Sequence, residues 1–504
     1  MPFYRIYAGY LIDPASSAKI MDNGIPASIY PNTVRVTNFW TNITGTVFEI
    51  EADDVTIAYE WRDALIHAIG NIEEYTPQAP EDPDPTPGPL DVWARVGTFT
   101  KTIGVSTTVI SSLPGDPKGL ILWGSALSGA TFGTTSDAGA TCVGFSDGTA
   151  GRCLVYGVED NTTPANANRI ADRTAFRMMN VTGTNSVTGS LESASASFST
   201  NSFTLTWSAS TLATVGFYFV FGGDDITSVQ VKDFEMGTTA TGEVEYTGLG
   251  DKYDMCMLLT AGFSSSNWGA NFFTPNGIHS VSVHASDTNE KSWCCNIRSS
   301  DNVATTANHR LQNRNRLLHT MGGSVPAQQQ AAKWQGWTSD GFILNWMDQP
   351  SFATLSFTGL FVKGGKWDAG SFIQPTTTQE VPTLLSPSNS APEAVMAFSI
   401  NNTALAEGTS SGITGSTWTV GAQDTTGGKG CLSYSGVSAV TNPQENTQMN
   451  NNTFMKYITA VVGTTPTTDA QCTISDMATD GQFTVDFTTV DSTERQTVWF
   501  SLSA

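Results

Sequence analysis

Short segments in which apolar and polar residues alternate dominate the chain after about residue 93, and one such segment occurs three times. Residues 198–207, 338–346 and 478–487 each place an Asn-Ser or Asp-Gly turn signal before an alternating stretch that closes on an aromatic residue. This pattern predicts a tight turn that leads into a strand with one buried face. The closing aromatics are 139 and 141 residues apart, and this regular spacing predicts three copies of one domain.

Further landmarks recur in the same order in each copy. The first is a short apolar run at 117–124, 253–260 and 392–399, which has the length and the pattern of a strand buried on both faces. Equivalent mid-copy strands then carry a cysteine, at Cys153, Cys294 and Cys431. A period near 140 residues is too long for a solenoid rung or a propeller blade, so each copy is predicted to be a domain.

The predicted fold class is mainly β: a small α+β N-terminal anchor domain followed by three tandem jelly-roll-like β-sandwich domains. About eight short strands are expected in each copy, which is enough for a two-sheet sandwich. The predicted boundaries are 1–76 for the anchor, 77–92 for a Pro-rich linker, and 93–223, 224–365 and 366–504 for the three copies.

The first 76 residues differ from the rest because they combine alternating strands with one helical pattern. Asp53 and Asp54 are suited to cap a helix that runs to about residue 74. Apolar positions recur on one face of this helix, at Ile57, Trp61, Leu65, Ala68 and Ile72. We predict that the helix packs on its own small sheet; the alternative is a helix that docks on another protein.

Residues 77–89 alternate prolines with acidic and small residues. This composition predicts an extended polyproline II spacer of about 3.1 Å per residue. Such a spacer would hold an anchored base apart from a projecting remainder. A plain disordered linker is the alternative.

Charge limits the classes of partner. The chain carries 24 basic and 46 acidic side chains, a formal net charge of −22, which opposes nonspecific binding to nucleic acid or to anionic lipid. Few charged residues (14%) beside many Gly, Ser, Thr and Asn residues are typical of extracellular or virion β-proteins. There is no apolar run of about 18 residues, and the first residues lack the order of a signal peptide. We therefore expect neither membrane insertion nor secretion by that route.

The seven cysteines are predicted to be buried free thiols that act as small apolar side chains. Their number is odd and no pair has the spacing of a zinc or redox motif. Assembly in a reducing cytoplasm is the simplest expectation. A vicinal disulfide between Cys294 and Cys295, or bridges between subunits, are the alternatives.

Residues with catalytic or metal-binding chemistry do not form a recognisable motif. The sequence has no nucleophile elbow, zincin helix or P-loop. His279 and His284 are five residues apart in one strand pattern and are therefore predicted to face opposite sides. We expect no enzyme activity, no catalytic residue, no cofactor and no metal site.

Two groups of residues are candidates for contact with a ligand or a partner. Arg310, Arg314 and Arg316 form a basic cluster that suits an anion or a glycan. Hydrogen bonds to loop backbone or to a neighbouring subunit are the more ordinary use of such arginines. The second group lies near predicted loops and consists of Trp268, Trp334 and Trp337.

Two of the repeated segments carry a resemblance. The Pro-Lys start, apolar run and Trp-Gly-Ser close of 117–125, together with the Asp-Gly-Phe and Trp of 340–346, resemble a repeated β-sandwich module of tailed-bacteriophage structural proteins. The resemblance covers residues from about 93 to the end, although the third copy has Phe398 in place of Trp123 and Phe487 in place of Trp207 and Trp346. It implies a non-enzymatic virion component.

The function expected from these observations is a surface projection of a phage particle, such as a tail or head fibre or spike. The N-terminal domain would anchor it to other virion proteins of the head or tail. The three sandwiches would extend outward as a homo-oligomer, for example a trimer, and contact a host-surface glycan or protein. The alternatives are a capsid decoration protein without a receptor and a particle-attached glycan depolymerase. The expected location is the virion, after assembly in the host cytoplasm.

Overall fold

The computed structural model divides the chain into two compact units, residues 1–89 and 90–504. The described residues are 3–8, 34–42, 45–52, 91–127, 129–136, 139–158, 166–179, 192–236, 241–264, 273–275, 277–285, 291–299, 308–314, 316–322, 327–348, 355–385, 390–401, 413–414, 416–437, 445–461 and 464–504. Every regular element in these ranges is a β-strand. The prediction of a mainly β protein is therefore confirmed.

The N-terminal unit contains an antiparallel sheet of three strands in the order β1-β3-β2. These strands are β1 Phe3–Ala8, β2 Val34–Asn42 and β3 Gly45–Ala52. The predicted anchor helix, with Ile57, Trp61, Leu65 and Ile72, lies outside the described residues, as does the Pro-rich segment 77–89.

The second unit consists of three sandwiches, each built from eleven consecutive strands instead of the expected eight or so. The first sandwich comprises β4 Trp93–Lys101, β5 Thr107–Ile110, β6 Pro117–Ser125, β7 Thr135–Ser136, β8 Gly139–Ser146, β9 Gly151–Val158, β10 Ala167–Asp172, β11 Phe176–Arg177, β12 Ser193–Ser199, β13 Ser202–Trp207 and β14 Thr214–Gly222. The second comprises β15 Ile226–Glu235, β16 Gly242–Thr247, β17 Met255–Ser264, β18 Phe273–Pro275, β19 Gly277–Ala285, β20 Lys291–Ser299, β21 Asn308–Arg314, β22 Leu318–Gly322, β23 Ala327–Thr338, β24 Gly341–Asp348 and β25 Leu355–Gly364. The third comprises β26 Lys366–Ile373, β27 Glu380–Leu384, β28 Pro392–Ser399, β29 Ile413–Thr414, β30 Ser416–Asp424, β31 Lys429–Gly436, β32 Glu445–Asn450, β33 Met455–Val461, β34 Thr464–Asp476, β35 Gln482–Thr489 and β36 Gln496–Ser503.

Each sandwich pairs a seven-stranded antiparallel sheet with a four-stranded one. In the first sandwich the strand orders are β18-β10-β9-β8-β6-β14-β4 and β11-β12-β13-β5. The second repeats them as β29-β21-β20-β19-β17-β25-β15 and β22-β23-β24-β16, and the third as β7-β32-β31-β30-β28-β36-β26 and β33-β34-β35-β27. The three sandwiches therefore share one topology.

The three sandwiches exchange strands in a closed cycle. The edge strand β18 of the first seven-stranded sheet comes from the second sandwich, β29 of the second sheet comes from the third, and β7 of the third sheet comes from the first. Equivalent strands also pack together at each junction, namely β9 on β19, β20 on β30 and β31 on β8. This is the arrangement of a ring with approximate threefold symmetry. The tandem sandwiches expected from the sequence therefore close on one another, which the sequence did not predict.

The seven-stranded sheets are buried on both faces, because one face lines the ring and the other lines the sandwich. On β6, Ile121 and Trp123 join a central core to which all three sandwiches contribute, whereas Leu120 and Leu122 join the core of the first sandwich alone. The second and third sandwiches have separate cores of their own. Alternate side chains point to opposite faces of a strand, so this division explains the unbroken apolar runs.

All seven cysteines are buried free thiols, as the sequence predicts. Burial is the largest cause of the raised pKa values of the Cys256, Cys295 and Cys431 thiols, and that of Cys431 reaches about 11. A thiol in this state is a poor nucleophile. The cysteines therefore serve packing.

The ring has two ends that differ in what they carry. At one end lie the β8–β9 and β30–β31 turns, the start of the ring at Asp91, and the last residue, Ala504, beside β26. At the opposite end lie the three exchanged strands, because they pair with the ends of β10, β21 and β32 farthest from those turns. We call these the hairpin end and the exchange end.

Candidate functional site

Polar side chains from all three sandwiches meet at the exchange end, on the inner faces of the seven-stranded sheets. Tyr156 and Tyr434 occupy equivalent positions on β9 and β31, with ring centroids 5.2 Å apart and hydroxyl oxygens 3.1 Å apart. The Tyr156 hydroxyl also bonds with the hydroxyl of Ser299, and the Tyr434 hydroxyl donates to Glu445. All four residues are buried. A chain of hydrogen bonds therefore ties the three sandwiches together in the interior.

Arginines occupy equivalent positions on β10 and β21 at this end. Arg169 is opposite Tyr156, Arg310 is opposite Ile297, and Thr447 takes the third equivalent position opposite Tyr434. Arg310 donates to the Thr417 hydroxyl of the third sandwich, and Thr447 accepts from the Ala140 amide of the first at 3.2 Å. Burial, helped by the charge of Arg495 and opposed by that of Asp469, lowers the pKa of Arg310 to about 10. Arg310 thus contacts a neighbouring sandwich, although one within the same chain.

Arg298 differs from the other arginines at this end because it lacks a hydrogen-bond partner. Its side chain lies on β20, it is 7% exposed, and its Nε and Nη1 atoms are buried without an acceptor in the described part of the chain. Burial lowers the pKa of Arg298. Burial first, and then the positive charge of Arg298, lower the pKa of Arg169 to about 9.

Equivalent residues at the end of the first strand of each sandwich, at the exchange end, differ in their chemistry. We call this the closing position. In the first, Lys101 forms a fully buried ion pair with Glu192 at 2.6 Å, with the ammonium 5.3 Å from the Trp207 ring centre. In the second, the equivalent residue is the buried Met236, whose carbonyl accepts from the Tyr246 hydroxyl. In the third it is Gln374, which bonds with the Arg495–Asp491 ion pair. The three sandwiches share one strand topology, whereas the side chains at their closing positions differ.

The structure places two of the three candidate tryptophans in one strand. Trp334 and Trp337 both lie in β23, and a bulge between Trp334 and Gly336 puts them on the same face. One face of Trp334 stacks on His284 at 3.8 Å between ring centroids, and Phe342 stacks on it at 5.5 Å. Both rings are packed into the second sandwich. Trp337 lies two residues before the turn between β23 and β24, Trp334 lies within β23, and Trp268 lies outside the described residues.

Two arginines of the cluster expected from the sequence, Arg310 and Arg316, have different neighbours. Arg316 is 8% exposed before β22, and burial lowers its pKa against the opposing charge of Asp348. It shares no partner with Arg310 among the described side chains, and only the backbone of Arg314 is described. The residues that sequence reasoning missed are Tyr156, Arg298 and Tyr434. The tyrosines were detectable, since each follows a landmark cysteine by three residues.

The two histidines face opposite sides of β19, as predicted. His279 stacks on Trp418 of the third sandwich at 5.2 Å, and burial lowers its pKa to about 3. His284 packs inside the second sandwich against Trp334, and its Nδ1 atom lies 2.9 Å from the hydroxyl oxygen of Ser292. Among the described residues, no group of three or more His, Cys, Asp or Glu side chains is arranged to hold a metal ion.

Each sandwich exposes a large apolar side chain at the exchange end. These are Ile103 after β4, Met347 in β24 and Ile373 at the end of β26, which are 70%, 40% and 42% exposed. The three occupy different positions in their sandwiches, and single exposed apolar side chains are common on protein surfaces. No helix in the described part of the chain has the length and apolarity to cross a membrane.

Comparison with known proteins identifies no relative. No protein-family model matches the chain, and neither a curated protein nor a solved structure does so.

Proposed function

We propose that the protein is a non-enzymatic structural component of a tailed-bacteriophage particle, displayed as a fibre or spike for attachment to the host surface. The observation that carries this proposal is the closed, strand-exchanged ring. Three copies of one sandwich share a central core, which suits a rigid body, and they carry different residues where the exchange end is closed. A body of this kind suits display and binding.

In this proposal the exchange end is the surface that faces the host. It carries Ile103, Met347 and Ile373 and the polar junction of the three sandwiches.

Three related surfaces around one ring give the proposed attachment a physical advantage. When one contact forms, the other two are held near a repetitive host surface at high effective concentration. Weak individual contacts then add to firm attachment. We also propose that each sandwich is jelly-roll-like, because its first strand pairs with its last and its second with its next to last. A homo-oligomer such as a trimer stays part of the proposal and is tested by native mass spectrometry.

The attachment proposal is tested by particle and cell binding of the full-length protein. We expect the tagged chain to bind purified heads or tails and, separately, host cells. The triple variant Ile103→Ser, Met347→Ser, Ile373→Ser should lose about tenfold or more in cell binding and keep particle binding, because about 25 cal/mol per Å² of apolar contact is lost. The matched control is Val109→Ser with Leu384→Ser, which removes exposed apolar side chains outside the exchange end.

The outcomes separate the alternatives. Binding to heads without any binding to cells would favour a capsid decoration protein. Loss of host polymer on incubation with the protein would favour a particle-attached glycan depolymerase. Binding to neither particles nor cells would refute the proposal.

A further inference from the structure

The outer edge of the four-stranded sheet differs between the three sandwiches. The edge strand is β5 in the first sandwich, β16 in the second and β27 in the third, and each has a single neighbouring strand among the described residues. An open edge strand is a template for pairing with a further chain, so proteins commonly block it with charged side chains or with proline.

Two residues of β5 direct their backbone groups away from the sheet. The Trp207 amide donates to the Ser106 carbonyl at 2.8 Å, and Thr107 and Val109 are opposite Thr206 and Thr204 of β13. Hydrogen-bonded and non-hydrogen-bonded pairs alternate along an antiparallel ladder. The N–H and C=O groups of Thr107 and Val109 therefore point outward, where a further strand could bind them.

The second and third sandwiches block these same two positions. The register places Glu243 and Glu245 of β16 there, and both glutamates are exposed. In β27 the two positions hold Glu380 and Pro382, which are also exposed. A proline has no N–H to donate to a further strand. The edge of β5 thus lacks both of the devices that its two counterparts carry.

The surroundings of β5 are uncharged and partly apolar. Residues 102–115 contain no charged side chain, and Ile103, Val105 and Val109 are 70%, 37% and 59% exposed. Because the chain has a formal net charge of −22, two copies repel each other over much of their surfaces. An uncharged edge is a place at which two copies can approach without that repulsion.

We propose that β5 pairs with β5 of a second copy of this chain, antiparallel and about a twofold axis. Thr107 of each copy is then opposite Val109 of the other, and each of these two pairs exchanges two backbone hydrogen bonds. The same patch serves both copies, as a twofold interface requires. The proposal goes beyond host attachment, because it assigns the surface through which two copies of the chain associate.

The test is sedimentation equilibrium of the full-length protein, together with hydrogen exchange of residues 102–113 at low and high protein concentration. The interface is small, so we expect association with a dissociation constant of about 10–100 μM. The amides of Thr107 and Val109 should exchange more slowly at high concentration, because pairing gives them an acceptor.

Two variants copy the blocked edges of the other sandwiches. Thr107→Glu with Val109→Glu imitates β16 and places like charges opposite each other, and Val109→Pro imitates β27. Each should weaken association by about tenfold or more and keep the melting temperature, because the equivalent positions already hold these residue types. The matched control is Leu384→Glu, which adds the same charge at an exposed apolar residue of an edge that is already blocked. It should leave association unchanged.

Several outcomes would overturn the proposal. Wild-type association in both variants, or an equal loss in Leu384→Glu, would show that copies meet through another surface. A protein that shows no association up to about 300 μM would show that β5 does not pair with itself. Slowed exchange in β5 that requires purified heads or tails would assign this edge to a strand of another protein.

Discussion

The two ends of the ring treat the same threefold framework differently. At the hairpin end, Asp147 and Asp424 occupy equivalent turns and do the same two tasks. One carboxylate oxygen orders the turn by accepting from Thr149 or Thr426, and the other accepts a backbone N–H from the next sandwich. Those contacts are to Val231 at 2.9 Å and Val96 at 2.7 Å. Each aspartate therefore caps the exposed edge strand of its neighbour.

At the third junction a carboxylate also accepts a backbone N–H of the edge strand, but this carboxylate belongs to the edge strand itself. The second sandwich has Ala285 where the others have aspartate. The edge strand β26 is capped by its own residue, because Asp368 accepts from the Ala369 amide at 2.8 Å. An edge strand with free N–H groups is prone to pair with other chains, which explains why the contact persists when the residue that accepts the hydrogen bond changes.

At the exchange end, by contrast, the chemistry itself has changed. An ion pair of Lys101 and Glu192, an apolar Met236 and a network around Arg495 close equivalent positions. The difference teaches that the hairpin end is constrained by closure of the ring, whereas the exchange end was free to diverge. Divergence is expected where three copies contact different parts of a ligand or partner.

The largest expected effect tests whether the closures are interchangeable. Lys101→Met should cost about 3–5 kcal/mol, because it leaves Glu192 as a buried carboxylate without its cation. Lys101→Met with Glu192→Gln imitates the second sandwich, which has Met236 and Gln330 at these positions. The double variant should recover most of the loss. Urea unfolding of the full chain measures both.

The exposed ion pair of Lys363 and Asp251 supplies the control for the loss of a lysine. Its side chains are 37% and 50% exposed, so Lys363→Met should destabilise the protein far less than Lys101→Met does. A double variant as unstable as Lys101→Met alone would show that the closures are specific to their own sandwich, and the comparison drawn between the two ends would fail.

An intermediate effect is expected at the hairpin end. Asp424→Ala removes the acceptor for Val96 and for the turn amides of Thr426 and Gly428. Buried donors left without acceptors cost about 1–3 kcal/mol, and Asp147→Ala should behave alike. Hydrogen exchange at β4 and β15 should rise in the respective variants.

Asp476 is the control for these substitutions, because it caps a turn through Ala478 and Thr479 without reaching another sandwich. Asp476→Ala should lower the stability less than Asp424→Ala does and leave hydrogen exchange at β4 unchanged. Equal costs for all three aspartates would mean that the contact between sandwiches adds nothing to the turn.

The strands and the buried apolar runs were predictable from sequence, but ring closure was not. Ile121 and Met257 have the same apolar character as the residues of any sandwich core, so periodicity does not reveal that their face is shared. The exchanged strands are two or three residues long, and Thr135–Ser136 shows no alternation that could be read. In β23 a bulge places Trp334 and Trp337 on one side. Register and closure depend on distant parts of the chain.

The smallest expected effect is the change in stability at acid pH, which should differ between the three closing positions. Burial raises the pKa of Glu192, but hydrogen bonds from Lys101, Thr211 and Leu212 outweigh it and lower the pKa overall; Arg495 lowers that of Asp491 to about 2. A carboxyl group whose pKa is lowered on folding contributes stability above its unfolded pKa and loses it as the pH falls towards the folded value. Stability should therefore be level from pH 7 to 5 and decline from about pH 4.5 to 2.

Asp491→Asn should flatten this decline by about 1 kcal/mol, since Asp491 is partly exposed and solvent screens its charge. Urea midpoints at successive pH values measure it, and an unchanged slope in Asp491→Asn would show that Asp491 takes no part. The closing position of the second sandwich is Met236 and does not titrate. Hydrogen exchange in acid should therefore rise at the first and third closures before it rises at the second, because only there does protonation remove an acceptor from a buried cation.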